Sequence, residues 1–177
     1  MKLTLTEEKF EFDFPNAKAL YKFDEADALS PTFHGAPMQA VDVMAEFPNF
    51  QLWIEIKEFQ PSDIEAMKKE GDQQKKANPI HNKTHLTQNL KNKFRDTFLY
   101  RFCENKLDTK IVYVCLTNFD DALNVFYKKE LRTQLPTGQA SKRWTKQLLD
   151  KSCLMVVNIE SWQRKLKEQF GCCTKII

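Results

Sequence analysis

The sequence predicts an α/β fold, a single domain whose mixed central sheet contains an antiparallel meander and is flanked by helices. Three observations predict it. Two neighbouring segments, residues 38–46 (MQAVDVMAE) and 50–59 (FQLWIEIKEF), alternate apolar and polar side chains with the period of two that strands show. Residues 84–104 place Leu86, Leu90, Phe94, Phe98 and Phe102 at four-residue spacing, a helical stripe. Residues 110–116 (KIVYVCL) have the continuous apolar character of a strand buried on both faces. With 177 residues and 42% hydrophobic content the chain has room for one sizeable core, so 1–177 reads as one domain.

The elements follow in order. Phe10, Phe12 and Phe14 alternate with Glu11 and Asp13, a strand with one buried face. Residues 16–29 are ambiguous: AKALYKF suits a short strand or a helical turn, DEADAL a turn or short helix, and Pro31, Gly35 and Pro37 then mark a loop. In the first alternating segment Val41, Val43 and Ala45 share one face, with Asp42, Met44 and Glu46 on the other. In the second, Leu52, Ile54 and Ile56 face the core while Trp53, Glu55 and Lys57 face away from it. Pro48-Asn49 is the turn of an antiparallel hairpin.

A polar stretch, 60–79, opens with Ser62 and Glu65 at capping-box spacing and reads as a short helix and a connection. Thr97 and Arg101 flank the apolar stripe of the long helix, and all six phenylalanines at 10, 12, 14, 94, 98 and 102 are expected in the core. Helices are expected over 120–135 and 142–151, with a loop at 137–141 between them, then a strand over 153–157 and a last helix from 158 or 159 to 170.

Composition narrows the classes of function. No run of about 18 apolar residues exists, and the alternation of residues 1–14 is unlike the continuous apolar stretch of a signal peptide, so a cytoplasmic protein with no membrane role is expected. The five cysteines are odd in number and lack a CxxC pair, which suits reduced thiols. His81 and His85 have helical metal-ligand spacing, but Asn82 stands where a zincin carries Glu, so they read as polar helix residues. The formal net charge of +3 is a cancellation: residues 1–66 hold 5 Lys and 13 acidic residues (−8), residues 67–177 hold 22 basic and 11 acidic (+11). Such asymmetry suits a polyanionic partner or a solvated basic face.

The hairpin carries the chemistry. Proline at 48 fixes φ near −65°, which excludes the first position of a type I′ or II′ turn and favours a four-residue loop. A two-residue or four-residue connection centred on Pro48-Asn49 equally pairs Asp42 with Glu55. Opposed side chains lie about 5 Å apart at Cβ, where like charges repel, and Lys57 projects on the same face about 7 Å along. Two opposed carboxylates call for a counterion, which Lys57 supplies in part and a divalent cation with hard oxygen ligands supplies more fully. Glu and Lys alternating with Ile is also the ordinary look of a solvated sheet face. Asp42 between Val41 and Val43 is not, because Asp is depleted in strand interiors.

The run AVDVMAEFPNFQLWIEIKEF, followed by a long helix and an apolar strand, resembles the PD-(D/E)xK nuclease superfamily with its restriction-endonuclease-like fold. The resemblance covers residues 16–116 as core and leaves 117–177 as a C-terminal extension; it departs in having Val41 rather than Pro before the Asp, and no QxxxY pattern. It implies a core of helix, three meander strands, helix and strand. It implies that Asp42 and Glu55 bind Mg2+ (or Mn2+), with the Ile56 carbonyl as a further ligand, and that Lys57 sits beside the attacking water. Asp42, Glu55 and Lys57 are then the catalytic set, and the further acidic residue before the loop is Glu25 or Asp24. Lys91, Lys93 and Arg95 of the helix are expected to hold backbone phosphates.

The expectation is a Mg2+-dependent endonuclease acting on DNA, in bacterial defence or DNA processing, with room for a protein partner or a homodimer. The alternatives are a catalytically silent binding or scaffold subunit on the same fold, for which Trp53, Trp144 and Trp162 would suit an interface, and an RNA substrate.

Overall fold

In a computed structural model of the chain, residues 3–69, 83–139 and 141–176 are described. A five-stranded mixed sheet has the order β3 (Ala19–Lys22), β4 (Val43–Glu46), β5 (Phe50–Lys57), β6 (Lys110–Thr117), β7 (Leu154–Val157). The first three are antiparallel, and β5, β6 and β7 are parallel. A second, antiparallel sheet of three strands has the order β1 (Thr4–Glu7), β2 (Phe10–Asp13), β8 (Cys172–Lys175). The helices are α1 (Pro61–Lys69), α2 (Lys83–Cys103), α3 (Asp121–Gln134), α4 (Ile159–Lys165) and α5 (Lys167–Phe170). The α/β class and the mixed sheet with its meander are as expected. No described helix is long and apolar enough to cross a membrane.

Strand β5 lies in the middle, paired on both sides, and every residue from Gln51 to Ile56 is buried. The face expected to point away from the core is covered by α2: Trp53 and Tyr113 pack on Phe94 at 5.5 and 5.3 Å, and the Tyr113 hydroxyl donates to the Leu90 carbonyl. Trp53 and Glu55 are therefore wholly inaccessible to solvent. Alternation marks a half-buried strand only when one sheet face stays wet, and here a helix covers the second face.

The same geometry corrects the helix stripe. Each four-residue step along α2 advances about 40° beyond a full turn, so a strict four-residue series spirals off the core. Leu86, Leu90 and Phe94 are buried, Phe98 only partly, and Phe102 is 66% exposed; Thr97 and Arg101 take the buried positions instead.

Arg101, 1% exposed, ties α2 to three strands. It donates to Glu46 Oε1 on β4 (2.8 Å), to Gln51 Oε1 on β5 (3.1 Å), to the Tyr21 hydroxyl on β3 (3.2 Å) and to Glu104 (2.9 Å). Burial would raise the Glu46 carboxyl, but the Tyr21 hydroxyl and Arg101 outweigh it and hold Glu46 below its ordinary range. A depressed carboxylate stabilises the fold above its unfolded pKa, near 4.5, and that contribution is lost as pH falls through the folded value. Arg101→Ala is expected to cost about 3 kcal/mol at neutral pH, the low end for a broken buried pair because both glutamates retain water contact. Urea unfolding at neutral pH and at about pH 4 should show the loss, and the variant should lose less on acidification than the parent.

Other expectations need correcting. The strand expected over 38–46 shrinks to β4, and α1 starts at Pro61, whose missing N–H is harmless there, so Ser62 lies inside the helix and no capping box forms. Residues 142–151 form turns instead of a helix, apart from a 3-10 turn at Lys151–Cys153. With only Trp144, Leu148 and Leu149 apolar this segment has no face to bury, and a bridge between Thr137 and Leu149 closes it as a loop. Trp144 is 40% exposed, whereas Trp162 is in the core. Strands β1 and β8 are not among the expected elements, β2 is the strand expected around Phe10–Phe14, and no helix precedes the meander within residues 16–42, where the resemblance implies one. Phe12, Phe14, Trp162 and Phe170 join this second sheet to α4 and α5, with Phe14 stacked on Trp162 at 6.0 Å. His81 lies outside the described residues, and His85 is exposed.

Candidate active site

The hairpin register is Val43↔Ile54 and Met44↔Trp53, and continuing it by one residue sets Asp42 opposite Glu55 as expected. Strand β4 stops at Val43 for a visible reason. The Val41 N–H, which would extend the ladder towards Ile56, goes to Thr97 Oγ1 on α2 at 3.0 Å, and the Gln39 N–H goes to Asp96 at 3.1 Å. The ladder therefore ends before Val41, whose carbonyl would be the acceptor for the Ile56 N–H in a continued strand, and that N–H donates instead to Asp42 Oδ2 at 2.6 Å. The Asp42 carbonyl still accepts from Phe23 N, just after β3, at 2.8 Å, so its backbone is held while its carboxylate folds over the strand end. A strand residue points its N–H and C=O to the same edge, so the Ile56 carbonyl also faces the Asp42 side.

Five charged groups converge there. Lys57 Nζ lies 2.7 Å from Glu55 Oε1. Lys93 Nζ, from α2, lies 3.6 Å from the same oxygen, 3.5 Å from Asp42 Oδ1 and 3.0 Å from Asp24 Oδ2. Asp42 and Glu55 therefore share one ammonium. Lys57 retains some solvent contact while the Lys93 side chain is 12% exposed. Glu55 Oε2 is buried with no hydrogen-bond donor among the described residues. Burial first, then the charge of Asp42, push the Glu55 carboxyl up to about 7, against the opposing pull of Lys57 and Lys93. Burial would lower the Lys93 ammonium, but Glu55, Asp42 and Asp24 outweigh it and hold it above its ordinary value, so it stays charged.

The remaining site residues distribute unequally. Asp24 reaches the cluster through Lys93, whereas the Glu25 side chain accepts from the backbone N–H of Asp27. Lys93 stands with the carboxylates. Lys91, two residues away and so about 200° round the helix, bonds Gln88 at 2.6 Å and lines a depression with Arg95, Phe98 and Pro136. The three basic residues therefore do not form one row. Sequence reasoning missed Glu8. It sits exposed in the β1–β2 turn at φ 51°, and partial desolvation, then the charge of Asp42, raise its carboxyl while Lys57 lowers it, so it feels the charges of the cluster. The only signal for it was the break in alternation at Glu8-Lys9.

Among the described residues no three His, Cys, Asp or Glu side chains group as metal holders. A cation here has two carboxylates and must fill its other positions with water, a backbone carbonyl or substrate oxygens, which is how Mg2+ is commonly held. The donorless Glu55 Oε2 and the hard oxygens of Asp42 fit such an ion. The site is thus a buried carboxylate pair with two lysines at the open end of a hairpin, a class of arrangement able to bind a hard cation beside an amine. Comparison with protein-family models, with curated proteins and with solved structures gives no match.

Proposed function

We propose that the chain is a Mg2+-dependent endonuclease of the PD-(D/E)xK type, with a restriction-endonuclease-like core, hydrolysing phosphodiester bonds in DNA in the cytoplasm. The observation that carries this reading is the shared ammonium: Lys93 lies within 3.6 Å of both Asp42 and Glu55, with Lys57 at 2.7 Å from Glu55. Glu55 is wholly buried while the Asp42 side chain keeps 14% exposure, so the opposed pair is reachable from the Asp42 side, an arrangement that suits a hard cation. The order of meander, α2 and β6 supports the fold analogy, while the first helix of that core is absent from residues 16–42.

Bound Mg2+ would stabilise charge on the phosphoryl oxygens and lower the pKa of a water. Asp42 and Glu55 would hold it, with the Ile56 carbonyl on the same edge. Asp42, fixed by the Ile56 N–H, needs no rearrangement to present Oδ1. Lys57, 2.7 Å from Glu55 Oε1, would orient the water and stabilise the developing negative charge. Lys91 and Arg95, on another side of α2, would contact phosphates away from the scissile bond.

The test uses purified full-length chain with plasmid and linear DNA. Cleavage with Mg2+ or Mn2+, absent in EDTA and absent in Asp42→Ala, is the expected result. Cleavage that survives Asp42→Ala would remove the site, and no cleavage of DNA or RNA by the parent would leave the silent-subunit reading.

A further inference from the structure

We propose that Lys93 is an internal cation of the site, holding Asp42 and Glu55 together in the metal-free protein and withdrawing onto Asp24 when a divalent ion enters. The inference rests on the cation-binding part of the reading above and goes beyond it, because Lys93 was expected to bind phosphate.

The argument is geometric. Among the described ion pairs Lys57 meets Glu55 alone, and it comes from the same strand, at its solvent end. Lys93 comes from the covering helix and is the only group within reach of both facing carboxylates among the described ion pairs. Its position between them is where a bridging cation would bind, so ammonium and metal compete for one place. Displacement is made easier by a third carboxylate: Asp24, on the chain after β3, lies at 3.0 Å, nearer than either site carboxylate, and is 45% exposed. A lysine stem is long and freely rotating, so Nζ can move outward while keeping Asp24. The three carboxylates and two ammoniums carry a formal charge of −1 in the metal-free state, so a divalent ion entering with all five groups in place would add a repulsive contact with Lys93. Arg101, two turns further along α2, anchors the helix so that the displacement is confined to the side chain.

The experiment measures Mn2+ binding by calorimetry and thermal unfolding in EDTA for the parent chain, Lys93→Met, Lys93→Gln and Lys93→Arg. The Met and Gln variants are expected to bind Mn2+ at least about tenfold more tightly and to unfold at lower temperature in EDTA, since the competitor and the internal counterion are both gone; Gln keeps a hydrogen-bonding amide and guards against misfolding. The Arg variant, which keeps the charge, is expected to stay near the parent affinity. Unchanged or weaker Mn2+ binding in Lys93→Gln, an unchanged unfolding temperature in EDTA, or equal tightening in the Arg variant would overturn the proposal. Tightened Mn2+ binding without DNA cleavage by the parent would support the role of Lys93 and count against the nuclease reading alone.

Discussion

Glu55→Gln is expected to lower Mg2+-dependent DNA cleavage by about 1,000-fold or more, the scale seen when a preorganised charge-stabilising group is removed, while leaving the fold's stability within about 1 kcal/mol of the parent. The two halves of this result have one cause. Burial and Asp42 bring the Glu55 carboxyl to about 7, so at neutral pH its neutral and ionised forms are close in free energy within the protein. A neutral amide of the same shape therefore replaces it at little cost, with two lysines relieved of one partner and Asp42 relieved of one repulsion. A cation ligand, however, must be the ionised form. Plasmid cleavage beside urea unfolding tests both halves. Full activity in a folded variant would end Glu55's role, and a collapse in stability would show that its charge serves the core. Lys57→Ala should show the same pattern, because Lys57 lies at the solvent end of β5.

Gly171→Ala is expected to destabilise the protein by about 3 kcal/mol or more, combining backbone strain with overpacking. Gly171 joins α5 to β8 at φ 122°, a conformation that a residue with a side chain rarely adopts. A β-carbon there would collide with the Asp13 carbonyl oxygen and stand 2.9 Å from the Phe14 ring. Neither obstacle can yield. The Asp13 carbonyl belongs to β2, paired with Cys172, and Phe14 is stacked on Trp162, whose indole N–H in turn donates to the Gly171 carbonyl at 3.1 Å. The substitution strikes the joint between the second sheet and the rest. Gly138→Ala is the control: its φ of 67° is also unfavourable, but the added carbon would meet only the flexible Lys151 side chain, 3.2 Å away, so a smaller loss is expected. Denaturant midpoints of the two variants decide the matter, and equal losses would refute the collision argument.

Much of the architecture was legible because it is local. A period of two over 50–59, a continuous apolar run over 110–116 and Pro48 between two strands each follow from short-range chain chemistry, and β5, β6 and the hairpin register agree with them. What was not legible depended on neighbours distant in sequence. Trp53 and Glu55 alternate like solvent-facing residues, and only α2 lying over them makes them core. Phe98 and Phe102 fit a four-residue series that a helix of 3.6 residues per turn carries off the core. Strand β8, four residues containing two cysteines, has no apolar run of its own and exists because β2 offers it an edge.

The site divides along the same line. By itself the sequence determined that Asp42 faces Glu55 and that Lys57 shares their face, because strand parity and one turn dictate it. Tertiary structure alone decided that Glu55 is sealed from water, that Lys93 crosses from the helix to stand between the two carboxylates, and that Asp24 rather than Glu25 backs it. The physical reason is range. Alternation along a strand is set by backbone geometry within a few residues, whereas burial and the meeting of charges depend on which distant element packs on top, and here a helix held by Arg101 and Thr97 makes that choice.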